Sequence, residues 1–332
     1  MKKIMWNGVV CFGVMQIGLQ AAIVSNPTVT GSATAYNGSY AVGNLFDNSF
    51  NGEYATQGGG AGDAFSTNPS NGTWVEMNFG GTVSADRFAL VTRKNTNDVI
   101  GESRLILSND NVFDGTDTII TINPTGNNAS GPETAFTQTT FQFARWEVTT
   151  SVGGSQNLGG TEMIFLTTPA GSQLISTVNV QGGYAAYNGN YALANAANGN
   201  YGYESIGHEY ASAGAGNNMY VEFDLGELTK VTGFDLFQRG KSADQYTSFD
   251  LVFSDTSDFS NELERKSYTI NGLSTDDMFA GIDAQYVRLE VTGGTATNTG
   301  IVEMNFYKAV PEVSSSTLFG LGVLTLLIRR WK

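Results

Sequence analysis

The chain has 332 residues, with 17 Lys+Arg against 31 Asp+Glu, one His and one Cys. Setting aside Lys2, Lys3, Arg329, Arg330, Lys332 and Glu312 leaves 12 basic against 30 acidic residues, a net of −18 in the body. Such a body repels phosphate backbones, which excludes nucleic acid as a partner. Only 14% of residues are charged while Gly reaches 41, a composition that suits turn-rich β folds rather than long surface helices.

In chain order, Met1-Lys2-Lys3 precede a mostly apolar run from Ile4 to Leu19 and the small pair Ala21-Ala22. This is the three-part pattern of a secretory signal, so residues 1–22 are expected to be removed after Ala21 or Ala22. A retained N-terminal anchor is the alternative. Cleavage also removes Cys11, leaving no disulfide, thiolate nucleophile or cysteine metal site.

The body is then written twice. AYNGSYA (Ala35 to Ala41) recurs as AYNGNYA (Ala186 to Ala192), and Glu53-Tyr54-Ala55 as Glu209-Tyr210-Ala211. WVEMNFG from Trp74 recurs as YVEFDLG from Tyr220, Phe88 to Arg93 as Phe234 to Arg239, and LILSNDNVF from Leu105 as LVFSDTSDF from Leu251. RWEVT from Arg145 then matches RLEVT from Arg288, and EMIF from Glu162 matches EMNF from Glu303. The constant order predicts two tandem domains, 23–168 and 175–309, joined by a linker at 169–174. Within the blocks, Val75, Met77 and Phe79 share one face and Glu76 and Asn78 the other; Val221, Phe223 and Leu225 alternate likewise with Glu222 and Asp224. Period two with one wet face predicts antiparallel sandwiches, an all-β chain.

The order A-x-x-N-x-x-D, E-Y-A-T, V-E-x-x-x-G, an aromatic-led strand ending in Arg, Y-V-R-L-E-V and a closing G-I-x-E-M-x-F-Y resembles the discoidin or coagulation-factor type C family. That group includes the family 32 carbohydrate-binding modules. The resemblance implies two tandem antiparallel jelly-roll β-sandwiches of the galactose-binding-like kind, non-catalytic and carbohydrate-binding. It places sugar contacts in loops at one end of each sandwich: Tyr36, Tyr40, Tyr54 and Arg93, with Tyr187, Tyr191, His208, Tyr210 and Arg239 as the second set. For each tyrosine the alternative is packing on the sandwich flank, and for the arginines a pairing with a loop carboxylate. It also implies a structural Ca²⁺ held by Asn44, Asp47 and Glu162 in the first half and by Asn195, Asn198 and Glu303 in the second. Asn198 stands where Asp47 does, so the second site carries less charge; Asp47 and Asn198 as plain turn residues are the alternative. His208, the single histidine, has no second histidine or marked carboxylate to work with, so no catalytic residue is assigned.

The chain closes on VPEVSSSTLFGLGVLTLLIRRWK. Val313 to Ile328 is uncharged for sixteen residues, short of the roughly 20 that span a bilayer. Residues 310–332 resemble the PEP-CTERM sorting signal: Val310-Pro311-Glu312, a short apolar transmembrane helix, and Arg329-Arg330. The box departs from the pattern at Val313, where a second proline is usual. The resemblance implies export, transient inner-membrane tethering, processing by an exosortase-type protease, and a place at the cell surface or in an exopolysaccharide matrix. A permanent C-terminal anchor is the alternative, as is a structural matrix protein whose sandwiches bind one another.

Overall fold

The computed structural model describes residues 22–47, 54–55, 72–93, 99–123, 129–152, 157–203 and 207–310. The expected signal peptide, apart from Ala22, and the sorting segment from Pro311 onward lie outside the described residues. Among the described residues no helix is long and apolar enough to cross a membrane.

The fold is all-β. Seven strands form the first sheet: β1 (Thr28–Ser32), β2 (Tyr54–Ala55), β3 (Trp74–Thr92), β4 (Val99–Ser108), β5 (Thr118–Ile122), β6 (Glu133–Val152) and β7 (Gly159–Leu166). Eight form the second: β8 (Ser172–Leu174), β9 (Asn179–Gly183), β10 (Tyr210–Ala211), β11 (Tyr220–Gln238), β12 (Ser248–Ser254), β13 (Glu262–Thr269), β14 (Ser274–Gly293) and β15 (Gly300–Ala309). The first runs β2-β7-β3-β6-β4-β5 with β1 beside β3; the second runs β10-β15-β11-β14-β12-β13 with β9 beside β11. One strand order therefore serves both sheets. Residues 169–174, expected as a linker, contain β8, which pairs with β15 from Leu174↔Tyr307 to Ser172↔Ala309 and so belongs to the second sheet.

Each sheet wraps around its own core because its longest strands bend. β3 pairs with β1 and with Phe143–Glu147 of β6 through Trp74–Asn78, then beyond a bulge it keeps β6 through Val83–Ala89 and adds β7 through Arg87–Thr92. The bend falls at Asn78-Phe79-Gly80, where Asn78 Oδ1 accepts the Gly80 N–H (2.8 Å) and Gly80 takes φ +75°. Asp224-Leu225-Gly226 repeats this in β11, with Gly226 at φ +81°. An Asx acceptor followed two residues on by a glycine is what such a corner requires. Between the layers the alternation works as expected. Val75, Met77, Phe88, Phe141 and Trp146 are fully buried in the first core, and Val221, Phe223, Phe234, Phe249 and Leu289 in the second. Each large apolar side chain so buried contributes about 1.5–3 kcal/mol.

A third cluster joins the two halves. Ala89, Val91, Ile164 and Leu166 of the first pack on Tyr201, Tyr203, Phe237, Leu273 and Val302 of the second. Every residue of β7 is buried, since Met163 and Phe165 point into their own core while Ile164 and Leu166 meet the other half. Polar ties cross the same face. The buried Arg87 donates to the Tyr307 hydroxyl, which donates to Asp235 (2.5 Å), and Arg87 also pairs with Glu133 (3.2 Å). Tyr201 donates to Glu133 (3.2 Å), the Glu133 N–H bonds Gly199 O (2.9 Å), and the Ala22 N–H reaches Asp276 (2.6 Å). The halves make one body.

Candidate functional site

The tyrosines of the repeated AYNG block form the same small structure twice. Asn37 is extended, and its Oδ1 accepts the Ser39 N–H (2.8 Å), starting a 3₁₀ turn over Gly38–Tyr40. Asn188 does the same for Asn190 (2.9 Å) and the turn Gly189–Tyr191. This local bonding is why Asn followed by Gly suits the position. The turn brings Tyr36 edge-on to Tyr40, with centroids 5.6 Å apart, and Tyr187 edge-on to Tyr191 at 6.0 Å. Behind the inner ring lies an arginine: Arg93 Cζ is 5.2 Å from the Tyr40 centroid and Arg239 Cζ 5.3 Å from that of Tyr191. The outer rings face water, Tyr36 being 48% exposed and Tyr187 56%.

The arginines hold this ladder from behind. Arg239 is buried, donating through Nε and Nη2 to Glu209 (2.9 and 2.7 Å) and through Nη1 to Asp244 (2.6 Å) and Asn298 O (2.9 Å). Burial by itself would lower its pKa, but Glu209 and Asp244 hold it above the ordinary arginine value. Arg93, buried too, donates to Asn157 O (2.5 Å). Both were expected as sugar contacts or as partners of a loop carboxylate; Arg239 makes carboxylate pairs with Glu209 and Asp244, and Arg93 lies buried with a bond to a backbone carbonyl. Two further candidates also leave the rim. Tyr210 is fully buried in the second core and donates to Tyr184 O (2.8 Å), with burial pushing its hydroxyl pKa up. His208 is half-buried, its Nδ1 lies 3.0 Å from the Asn200 amide, and burial lowers its pKa. It braces the segment whose Tyr201 and Tyr203 amides bond Gly131 O and Ala129 O, at the junction of the halves. Tyr54 lies in β2, opposite Gly160.

The residues expected to hold calcium serve the same turns. Asn44 Nδ2 donates to Ser39 O (3.2 Å), and Asn195 Nδ2 donates to Asn190 O (3.2 Å) and Glu209 O (3.1 Å). Glu303 Oε2 accepts the backbone N–H groups of Asn198, Gly199 and Asn200 (3.1, 2.8 and 3.3 Å), and Asn198 Oδ1 accepts from Asn200 (2.9 Å). A calcium site needs 6–8 oxygens. Here N–H donors, which repel a cation, face the carboxylate, so the second set does not fit the ion. In the first set Asp47 is exposed at the end of its 3₁₀ turn and Glu162 is buried. Among the described residues no three His, Cys, Asp or Glu gather as a metal group.

Residues 175–304 match the F5/8 type C domain family. No curated protein matches the chain significantly. Among solved structures, the chain is similar to a fucolectin from striped bass (Morone saxatilis) serum at 12% identity, covering 88% of this chain and 99% of that one, with a TM-score of 0.33. It is similar to the CBM32-1 and CBM32-2 domains of Clostridium perfringens ZmpB at 13% identity, covering 86% and 94%, with a TM-score of 0.36. A fucose binding module of Streptococcus pneumoniae, SpX-3, is 14% identical, with 42% and 99% covered and a TM-score of 0.35.

The buried polar cluster of Arg87 with Glu133, Asp235, Tyr201 and Tyr307 was not anticipated from the sequence. Its one sequence signal is β7, whose run Met163-Ile164-Phe165-Leu166 is apolar on both faces.

Proposed function

We propose that this protein is a non-catalytic carbohydrate-binding protein of the cell surface or extracellular matrix, gripping polysaccharide through Tyr36 and Tyr187. The observation that carries the reading is the twice-built ladder of exposed tyrosine, inner tyrosine and buried arginine. Pyranose rings present C–H faces that pack on aromatic rings, and a ring already fixed by its neighbours loses little entropy on binding. Two such platforms on one chain give avidity on a polymeric glycan even where each alone is weak. The family match over 175–304 supports the same reading for the second half.

The proposal includes export through the N-terminal signal, temporary tethering in the inner membrane by the apolar stretch after Val310, and release by an exosortase-type protease. Calcium belongs to it only in the first half, where Asp47 and Glu162 are the residues that would hold the ion. An EDTA-induced fall in melting temperature, abolished in Asp47→Ala, is the expected sign.

The test is retention on a panel of neutral and acidic polysaccharides, with Tyr36→Ala, Tyr187→Ala and the double variant. Each single change is expected to weaken binding about 2- to 10-fold, from roughly 0.5–1.5 kcal/mol per aromatic contact, and the double change to lose the avidity. A double variant that binds like the wild type would show that the tyrosine rims do not carry recognition. A second reading, a matrix protein whose copies bind one another, is favoured by the edge of β5, which among the described residues pairs only with β4.

A further inference from the structure

β5 ends the first sheet. Only β4 pairs with it, from Ser103↔Ile122 to Leu107↔Thr118, and among the described residues no strand lies on its other side. Its sequence, Thr118-Ile119-Ile120-Thr121-Ile122, is β-branched throughout and carries no charge or proline. Ile120 and Ile122 are buried in the first core, while Thr118, Ile119 and Thr121 are exposed, Ile119 at 47%.

The matching edge of the second sheet is built differently. Among the described residues β13 also pairs on one side only, but Glu262, Glu264, Arg265 and Lys266 occupy four of its eight positions. Charges along an edge are how folded proteins keep open strands from adding to one another. The second sheet has this protection and the first lacks it, although the two share a strand order.

We propose that β5 is a self-association edge, pairing antiparallel with β5 of a second copy about a two-fold axis normal to the sheet at Ile120. In this register Ile120 faces its mate, Ile119 lies opposite Thr121, and Thr118 lies opposite Ile122. The flanking Asp117 falls opposite Asn123, so the acidic ends do not meet. That matters in a chain of net charge −14, where most copy-to-copy contacts are repulsive. An axis normal to the sheet keeps inward faces inward, so the first sheet continues across two molecules with every edge N–H and C=O along β5 offered a partner. The charged β13 edge is excluded as the mate, because Ile119 would then desolvate Glu or Arg without compensation. Five paired residues bury less than a standard interface, so association is weak in solution and grows where copies are crowded in a matrix.

The proposal is independent of sugar binding and is tested without glycan, by sedimentation velocity of the full chain over roughly 5–500 μM. The expected result is a concentration-dependent dimer, weakened at least about tenfold by Thr121→Lys or Ile119→Lys at unchanged melting temperature. Leu263→Lys on β13 is expected to leave the dimer intact, and the amides of 118–122 to gain exchange protection with concentration. A monomer over the whole range, a dimer indifferent to the β5 lysines, or a dimer lost in Leu263→Lys would each overturn the assignment.

Discussion

At the residue scale, the two members of each tyrosine–arginine pair do different work. Tyr187 is open to solvent, whereas Arg239 is locked between Glu209 and Asp244, which are themselves buried. Removing the guanidinium takes the shared counter-charge from buried Glu209 and Asp244, leaving Lys241 3.6 Å from Asp244, so Arg239→Ala is expected to cost about 3–5 kcal/mol in urea unfolding. Arg239→Lys also fails to restore the fork to Glu209, since an ammonium has no bidentate geometry. A loss of glycan retention without a shift in the unfolding midpoint would return Arg239 to the ligand-contacting set. The repeated AYNG block marked the tyrosines as a matched set, and the structure adds the asparagine-capped 3₁₀ turn. For the arginine, pairing with a loop carboxylate stood as one of two readings, and the partner itself was hidden because Glu209 lies 30 residues away along the chain.

At the element scale, the corners of β3 and β11 rest on single glycines. A Cβ added to Gly80 or to Gly81 would meet no other group within 4 Å, but only Gly80 has a positive φ. Gly80→Ala should therefore cost about 1–2 kcal/mol for its backbone conformation alone, and Gly81→Ala close to nothing. Equal losses at the two positions in chemical denaturation would mean that the corner is not a φ effect. Period-two alternation identified these strands because one face is wet. In β7 the run Met163-Ile164-Phe165-Leu166 breaks that alternation, but nothing in it says what covers the second face.

At the scale of the whole molecule, the shared cluster couples two halves that the sequence suggests are independent. One cooperative unfolding transition is expected, and two separable ones would count against the coupling. Burial raises the pKa of Glu133, with Arg87 opposing the rise. A carboxyl whose folded pKa is raised contributes stability that is full below the unfolded value and lost as pH rises through the folded one. The unfolding midpoint should thus fall as pH climbs through that window, and Glu133→Gln should flatten the dependence. An identical pH profile in the variant would remove Glu133 from the account. Sorting belongs to this scale as well. An antibody to the body should find a product shortened near Pro311 in wild-type cells and full-length chain in an exosortase-deficient strain, and equal lengths would refute it.

The amino-acid order alone determined what is periodic or repeated: the β class, the strand blocks and the twice-written tyrosine segment. These follow from side-chain alternation and from matching blocks in a constant order. Only the tertiary structure decided which polar groups are used up. The pairing of Arg239, the burial of Tyr210, the donors around Glu303 and the Arg87 cluster all depend on partners far apart in the chain. Distance along a sequence carries no energy, whereas burying a charge beside its counter-charge does.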